Sequence, residues 1–439
     1  MGAGSTPEDP WETLRALARG SEIELRTVDG QSFRGTLVPA HELSGERIIQ
    51  LKLPSGYNVG VRVHPRDTLT VFPPSAPTAG GSGTRATSSP PLEPGKWVAI
   101  LTTGGTIASR IDYRTGGVRP VKDEAEILSF YPQLGRDGPV HVVPVFDRLS
   151  ENIGPEDWVV LAERTAEMFR QGARGVVVAH GTDTISYTAA ALSFALTSLP
   201  GPVVLVGAQR SPDRPSSDGT PNFQAATHVA WGSDLGEVVV VMHAGLSDTS
   251  FSIHRGTRVR KLHSSRRDAF RSRNGPPLGR LDDQTLKLRP GYRARVDAPV
   301  QVDSRLDPRG GMLWSYPGLP PEPARAFVAG LRGVILAGTG LGHVNSVHLP
   351  WIREAVARGT FVGMTTQCLE GSVDPYVYAT GRELLRAGVT YLGDLMPQTA
   401  YVKLLFALGR YSSVGDVRRY LLTDQVGEFE DRHSVEVDA

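Results

Sequence analysis

Four uninterrupted valine-rich runs limit what this chain can fold into more than any other feature: WVAILTT from Trp97, GVVVAH from Gly175, PVVLVGA from Pro202 and EVVVVMHAG from Glu237. A strand that is apolar at every position must be covered on both faces, the condition of a parallel sheet flanked by helices. The intervening stretches Pro155–Gln171, Ile185–Ser198 and Asn222–Ala230 have the length and composition of helices, and HVVPVF from His141 reads as one more strand. The middle of the chain is therefore expected to be a doubly wound α/β domain.

The same style resumes near Gly333, with strands GVILAGTG and FVGMTTQC and helices near Leu349–Arg358, Gly381–Ala387 and Thr399–Leu408. A smaller α/β domain follows the larger one. The N-terminal part is different. Glu22–Phe72 holds five or six short alternating runs, with Asp29-Gly30 between two of them as a hairpin turn that needs positive φ at both positions. So many strands in about fifty residues predict a small closed barrel of the SH3-like or OB-like kind. Between the two lies PPSAPTAGGSGTRATSSPPLEPG from Pro73, rich in Pro, Gly, Ser and Thr, which reads as a linker. The expected partition is a barrel over 1–73, a flexible linker over 74–95, a catalytic α/β domain over 96–304 and a smaller C-terminal α/β domain with a tail over 305–439.

Composition excludes several classes. The net charge is +1 at pH 7, so no whole-protein field gathers nucleic acid or an anionic membrane. Cys368 is the only cysteine, which rules out an intrachain disulfide and fits a reducing compartment. The N-terminus lacks the apolar run of a secretion signal, and no apolar stretch approaches the ~20 residues of a membrane span, so a cytoplasmic protein is expected. His243, His254, His263, His343 and His348 fit no common zinc spacing, and no metal is expected.

In open α/β sheets ligands sit beyond the carboxyl ends of strands, so the polar residues there are the candidates. The Trp97 run ends in Gly104-Gly105-Thr106, where two glycines let the backbone turn sharply beside a ligand. It lacks both the ending of a phosphate loop and the third glycine of a dinucleotide fingerprint. The Gly175 run ends in His180-Gly181-Thr182-Asp183-Thr184; one of these residues is accounted for as a helix cap, and a hydroxyl beside a carboxylate also suits recognition of an ammonium group or activation of a water. Arg255–Arg273 carries eight Lys and Arg against the single acid Asp268. By itself it reads as an RNA patch or a solvated loop, but Lys261 drawn to a buried carboxylate such as Asp183 would help to deprotonate a hydroxyl. Cys368 has no nucleophile elbow and is expected to be a small buried side chain.

TGGTI at Thr103–Ile107 and HGTDT at His180–Thr184, with a lysine further on, resemble the bacterial-type L-asparaginase/glutaminase family. The resemblance implies Thr106 as nucleophile, Thr182 as second catalytic threonine, and Asp183 with Lys261 as the pair that polarises it. It also implies Ser150 and Glu151, and Tyr113 on a mobile loop, as substrate-binding residues. GTLVPAHELSGERIIQLKLPSGYNVGVRV, RVRKLHSSRRDAFRS, TTQCLEG and PQTAYVKLLFALG extend the likeness over nearly the whole chain to the D-type subunits of the DE-type glutamyl-tRNA(Gln) amidotransferases. That family implies a homodimeric glutaminase subunit with no cofactor of its own. Its partner, the E-type subunit, would bind ATP and Mg2+, contact Glu-tRNA(Gln) and receive the ammonia. A free-standing asparaginase is the alternative, and the N-terminal barrel, which such an enzyme does not need, separates the two.

Overall fold

A computed structural model of the 439-residue chain describes residues 9–18, 20–38, 47–53, 58–72, 93–105, 109–111, 118–120, 127, 131, 133–210 and 217–430. The described residues fall into two compact units, one built on the N-terminal segment and one containing both α/β regions.

In the N-terminal unit five antiparallel strands lie in the order Asn58–Arg62, Ile48–Lys52, Ser32–Val38, Glu22–Arg26, Thr68–Val71. Strand alternation sends Ile23, Leu25, Leu37, Ile49, Leu51 and Val61 to one face, where Leu14 of the Pro10–Ala16 helix closes the core. Among the described residues the two outermost strands do not pair with each other, so the barrel expected from the strand count is open in its hydrogen bonding. The Asp29-Gly30 turn differs from expectation in one respect. Only Gly30 has positive φ, at +85°, because the loop is a turn from Thr27 closed by the Thr27–Gln31 pair rather than a two-residue hairpin turn.

In the second unit an eight-stranded sheet runs Thr285–Leu288, Gly279–Asp282, Ser250–Arg255, Val238–His243, Val203–Val206, Gly175–Ala179, Val98–Thr102, Val140–Pro144. The last five are mutually parallel, and they include all four valine-rich runs. The first three are antiparallel additions that the runs did not announce, since their alternating, shorter patterns resemble loop. From Val98–Thr102 the chain passes outward to Val140–Pro144, then returns to the other side at Gly175–Ala179. Strand order therefore reverses between the ends of Val98–Thr102 and Gly175–Ala179, the place where such sheets open a crevice.

A second, wholly parallel sheet has the order Gly310–Trp314, Gly333–Gly338, Phe361–Thr366, Thr390–Tyr391. The Pro397–Arg410 helix packs against it and against the Ile185–Ala195 helix of the larger sheet, with Phe194 and Phe406 rings 6.2 Å apart. Among the described residues no helix is long and apolar enough to cross a membrane.

Candidate active site

Two strand ends meet at the reversal point. Thr103 donates to the Ala179 carbonyl through both its amide, at 3.1 Å, and its hydroxyl, at 3.0 Å, which ties the two loops together as they leave the sheet. Gly104 and Gly105 follow with φ of +93° and +72°, values that suit glycine. A methyl group on Gly105 would stand 2.7 Å from Cα and N of Gly181, so the two loops are in direct backbone contact. Thr106 and Tyr113 lie outside the described residues. The residue before Thr106 thus abuts the residue before Thr182.

On the opposite strand end, His180 is wholly buried, and burial lowers its pKa to about 4. Its Nδ1 faces the Gly181 carbonyl at 2.7 Å and must carry the hydrogen, while Nε2 accepts from the Thr188 hydroxyl at 2.9 Å. The neutral ring therefore pins the Gly181 carbonyl, and with it the orientation of the peptide leading into Thr182. Among the described residues nothing accepts from the amide N–H of Thr182, a buried donor free to meet a developing oxyanion.

Lys261 comes from a short strand, Val259–Lys261, paired with Phe270–Ser272. Its ammonium donates to Asp183 Oδ1 at 2.7 Å and to Thr182 Oγ1 at 2.8 Å. The lysine side chain is 12% exposed and the aspartate 68%, so the expected burial is reversed. Asp183 lies in the turn at the head of the Ile185–Ala195 helix and faces outward, whereas the lysine side chain is largely covered. Thr184 takes the N-cap position of that helix but makes no side-chain cap bond; its hydroxyl donates to the Ser150 carbonyl at 2.6 Å. Ser150 is buried, with Oγ 2.9 Å from where a Gly181 methyl would be, while Glu151 is exposed on the same short 3-10 turn, Ser150–Asn152. Thr182, Asp183, Lys261 and Ser150 are thus brought together, and Gly105 brings the Thr106 loop to them.

The basic segment is largely consumed by the fold. Arg255 pairs with Glu237, Arg258 with Asp394, Arg266 and Arg271 with Asp268, Arg267 with Asp248, and Arg273 with Glu370. Arg258 is nearly buried, and it also donates to the Glu428 carbonyl at 3.1 Å. These arginines anchor the hairpin that presents Lys261, a role no local spacing announces because Asp394 and Glu428 lie far along the chain. His243, at the end of Val238–His243, is buried with Nδ1 2.6 Å from Asn222 Oδ1 and Nε2 2.9 Å from Asp248. Desolvation lowers its pKa. Cys368, expected to be buried, is exposed, because its strand ends at Thr366 and the chain is already on the surface.

Comparison with known proteins decides the family. Residues 97–292 match the N-terminal asparaginase domain, 311–421 the glutaminase/asparaginase C-terminal domain, and 17–71 the GatD N-terminal domain. The D-type subunit of glutamyl-tRNA(Gln) amidotransferase from Metallosphaera sedula is 45% identical over 412 residues, covering 93% of this chain and 92% of that one. Its counterpart from Saccharolobus solfataricus is 42% identical over 428 residues, covering 96% and 95%. The chain belongs to the GatD family of glutamyl-tRNA(Gln) amidotransferase subunits. Membership makes it the amide-hydrolysing, glutaminase-type component of such an amidotransferase. Solved L-asparaginases share the α/β fold. The enzyme from Thermococcus kodakarensis matches with TM-score 0.69 and 32% identity, covering 76% of this chain and 99% of its own. L-asparaginase I from Vibrio cholerae matches with TM-score 0.66 and 28% identity over 76% and 99%. A free-standing asparaginase is a structural neighbour of this GatD chain, and nearly all of that enzyme fits within about three quarters of it.

Proposed function

We propose that Thr106 attacks the side-chain amide carbon of glutamine, that ammonia leaves, and that water then hydrolyses the threonyl ester to glutamate. The observation that carries this reading is the Lys261 ammonium, 2.8 Å from Thr182 and 2.7 Å from Asp183, beside the loop that delivers Thr106. A threonine hydroxyl is nearly inert at neutral pH and needs a group to take its proton. Lys261 donates to the Thr182 oxygen, which lowers the cost of negative charge there and lets Thr182 act on the nucleophile or the hydrolytic water. Asp183 holds the ammonium in place. The Thr182 amide supplies an oxyanion donor, and Ser150, Glu151 and Tyr113 serve the substrate's α-amino and α-carboxyl groups.

In this reading the chain is cytoplasmic, forms a homodimer and works with an E-type partner subunit. That partner uses ATP and Mg2+ to activate the glutamate carried by Glu-tRNA(Gln) and consumes the ammonia; this chain needs no cofactor or metal of its own. The test is ammonia release from glutamine by the purified chain. Slow release alone, rising when the E-type partner and Glu-tRNA(Gln) are added, is the expected result. Turnover indifferent to both replaces the reading with that of a free-standing asparaginase.

A further inference from the structure

A cavity of about 180 Å3 opens between the Gly219–Gly232 helix, the connection around Arg136 and Asp137, and the strands beyond His243. At ~30 Å3 per water this is room for about six waters, the size of a small metabolite. Its lining mixes charge of both signs with side-chain amides. Asp137 is 3.2 Å from His228, and Asp248 is held by Arg267, but the side chains of Arg136 and Asp283 have no partner among the described residues. One free guanidinium and one free carboxylate, in a lining that also includes Gln284, complement a molecule bearing a carboxylate and an ammonium.

Asp248 gives this cavity a physical connection to the chemistry. Its carboxylate lines the cavity and also touches His243 Nε2 at 2.9 Å and Arg267 Nη1 at 2.5 Å. From His243 the contacts run through Asn222 Oδ1 at 2.6 Å, then from Asn222 Nδ2 to the Gly207 carbonyl at 3.1 Å. Gly207 lies against Thr182, whose Cγ2 would be 2.7 Å from a methyl placed there. Arg267 belongs to the connection between Val259–Lys261 and Phe270–Ser272, the hairpin that carries Lys261. One carboxylate at the cavity wall therefore leads by one arm to Thr182 and by the other to Lys261.

We infer that this cavity is a second amino-acid site, which binds a small zwitterion between Arg136 and Asp283 and acts through Asp248 on the catalytic threonine and lysine. The inference deepens the glutaminase reading and rests on it, since its effect is exerted on that site. Occupancy shifts the Asp248 carboxylate, and a shift there alters the two arms together.

The test is equilibrium dialysis of the full chain with labelled glutamate, the product and therefore not turned over, beside the glutamine saturation curve for ammonia release. The comparison protein carries Arg136→Ala with Asp283→Ala; both side chains are exposed, so the fold survives their loss. Two glutamates per chain are expected in the wild type and one in the double variant. The wild-type curve should depart from a hyperbola, and the double variant should restore one. One glutamate per chain in both proteins, or two in both, overturns the site. Two against one, with a plain hyperbola in each, overturns its coupling to catalysis. A chain that binds glutamate as expected but releases no ammonia leaves the cavity standing and overturns the glutaminase reading instead.

Discussion

Replacing Lys261 by Met separates the catalytic account from a merely structural one. Methionine keeps the buried apolar stem and removes only the ammonium, which donates to Thr182 at 2.8 Å and to Asp183 at 2.7 Å. For stability the loss is small. Asp183 is 68% exposed and rehydrates when its partner goes, and a pair of that kind contributes ~0–1 kcal/mol. For catalysis the loss is large, because a preorganised donor at the reacting centre is worth about 100- to 1,000-fold, ~2.7–4 kcal/mol. The expected outcome is kcat for ammonia release from glutamine down by at least about 100-fold, with the urea midpoint within experimental reach of wild type. A fall of less than about tenfold would refute the role of Lys261. A loss that simply tracks a collapsed urea midpoint would show that the lysine serves only the fold.

Three further outcomes follow from the same geometry. Gly105→Ala places a methyl 2.7 Å from the Gly181 backbone at φ +72°, so it should drive the Gly105 and Gly181 loops apart and cost about 100-fold in kcat; wild-type ammonia release by this variant would mean that the loop contact is not needed. Lys403→Met leaves Glu428, 0% exposed like its partner, as an unpaired buried carboxylate, and should lower stability by ~3–5 kcal/mol in urea, with Lys403→Met/Glu428→Leu recovering most of it. His180 and His254 are wholly buried, and desolvation lowers their pKa values to about 4 and about 3, below the ordinary 6.5. Between these values and 6.5 the unfolded chain binds protons that the folded chain refuses, so stability drops as pH falls from 6.5 toward 4, by up to ~3 kcal/mol from His180 alone. A urea midpoint constant from pH 7 to pH 4.5 would sink this assignment, and His254→Gln should flatten part of the slope.

The parallel sheets were legible because burial on both faces leaves a mark on every residue of a strand: Val176, Val177 and Val178 have no polar neighbour to confuse the pattern. The antiparallel strands Ser250–Arg255 and Gly279–Asp282 escaped because polar and charged residues interrupt them. At the site, Thr182 and Asp183 stood out in the sequence beside a strand end, whereas Ser150 and the role given to Lys261 came from a likeness carried over one position at a time. What holds Lys261 was not readable. Arg258 and Arg273 look like solvated charge in sequence, since Asp394 and Glu370 lie 136 and 97 residues further on, and only folding brings the opposite charges together. The helical stretch Val414–Leu422 was likewise missed, because its apolar stripe of Val417, Tyr420 and Leu421 is narrow.

The bond from Arg258 to the Glu428 carbonyl spans 170 residues of chain. During synthesis at about 5–20 residues per second, the ribosome delivers the lysine hairpin well before the segment that clamps it. Until residues near Glu428 emerge, Arg258 lacks that acceptor and the hairpin is held by fewer ties. A nascent chain can therefore complete its larger sheet before the hairpin that carries Lys261 has all of its ties.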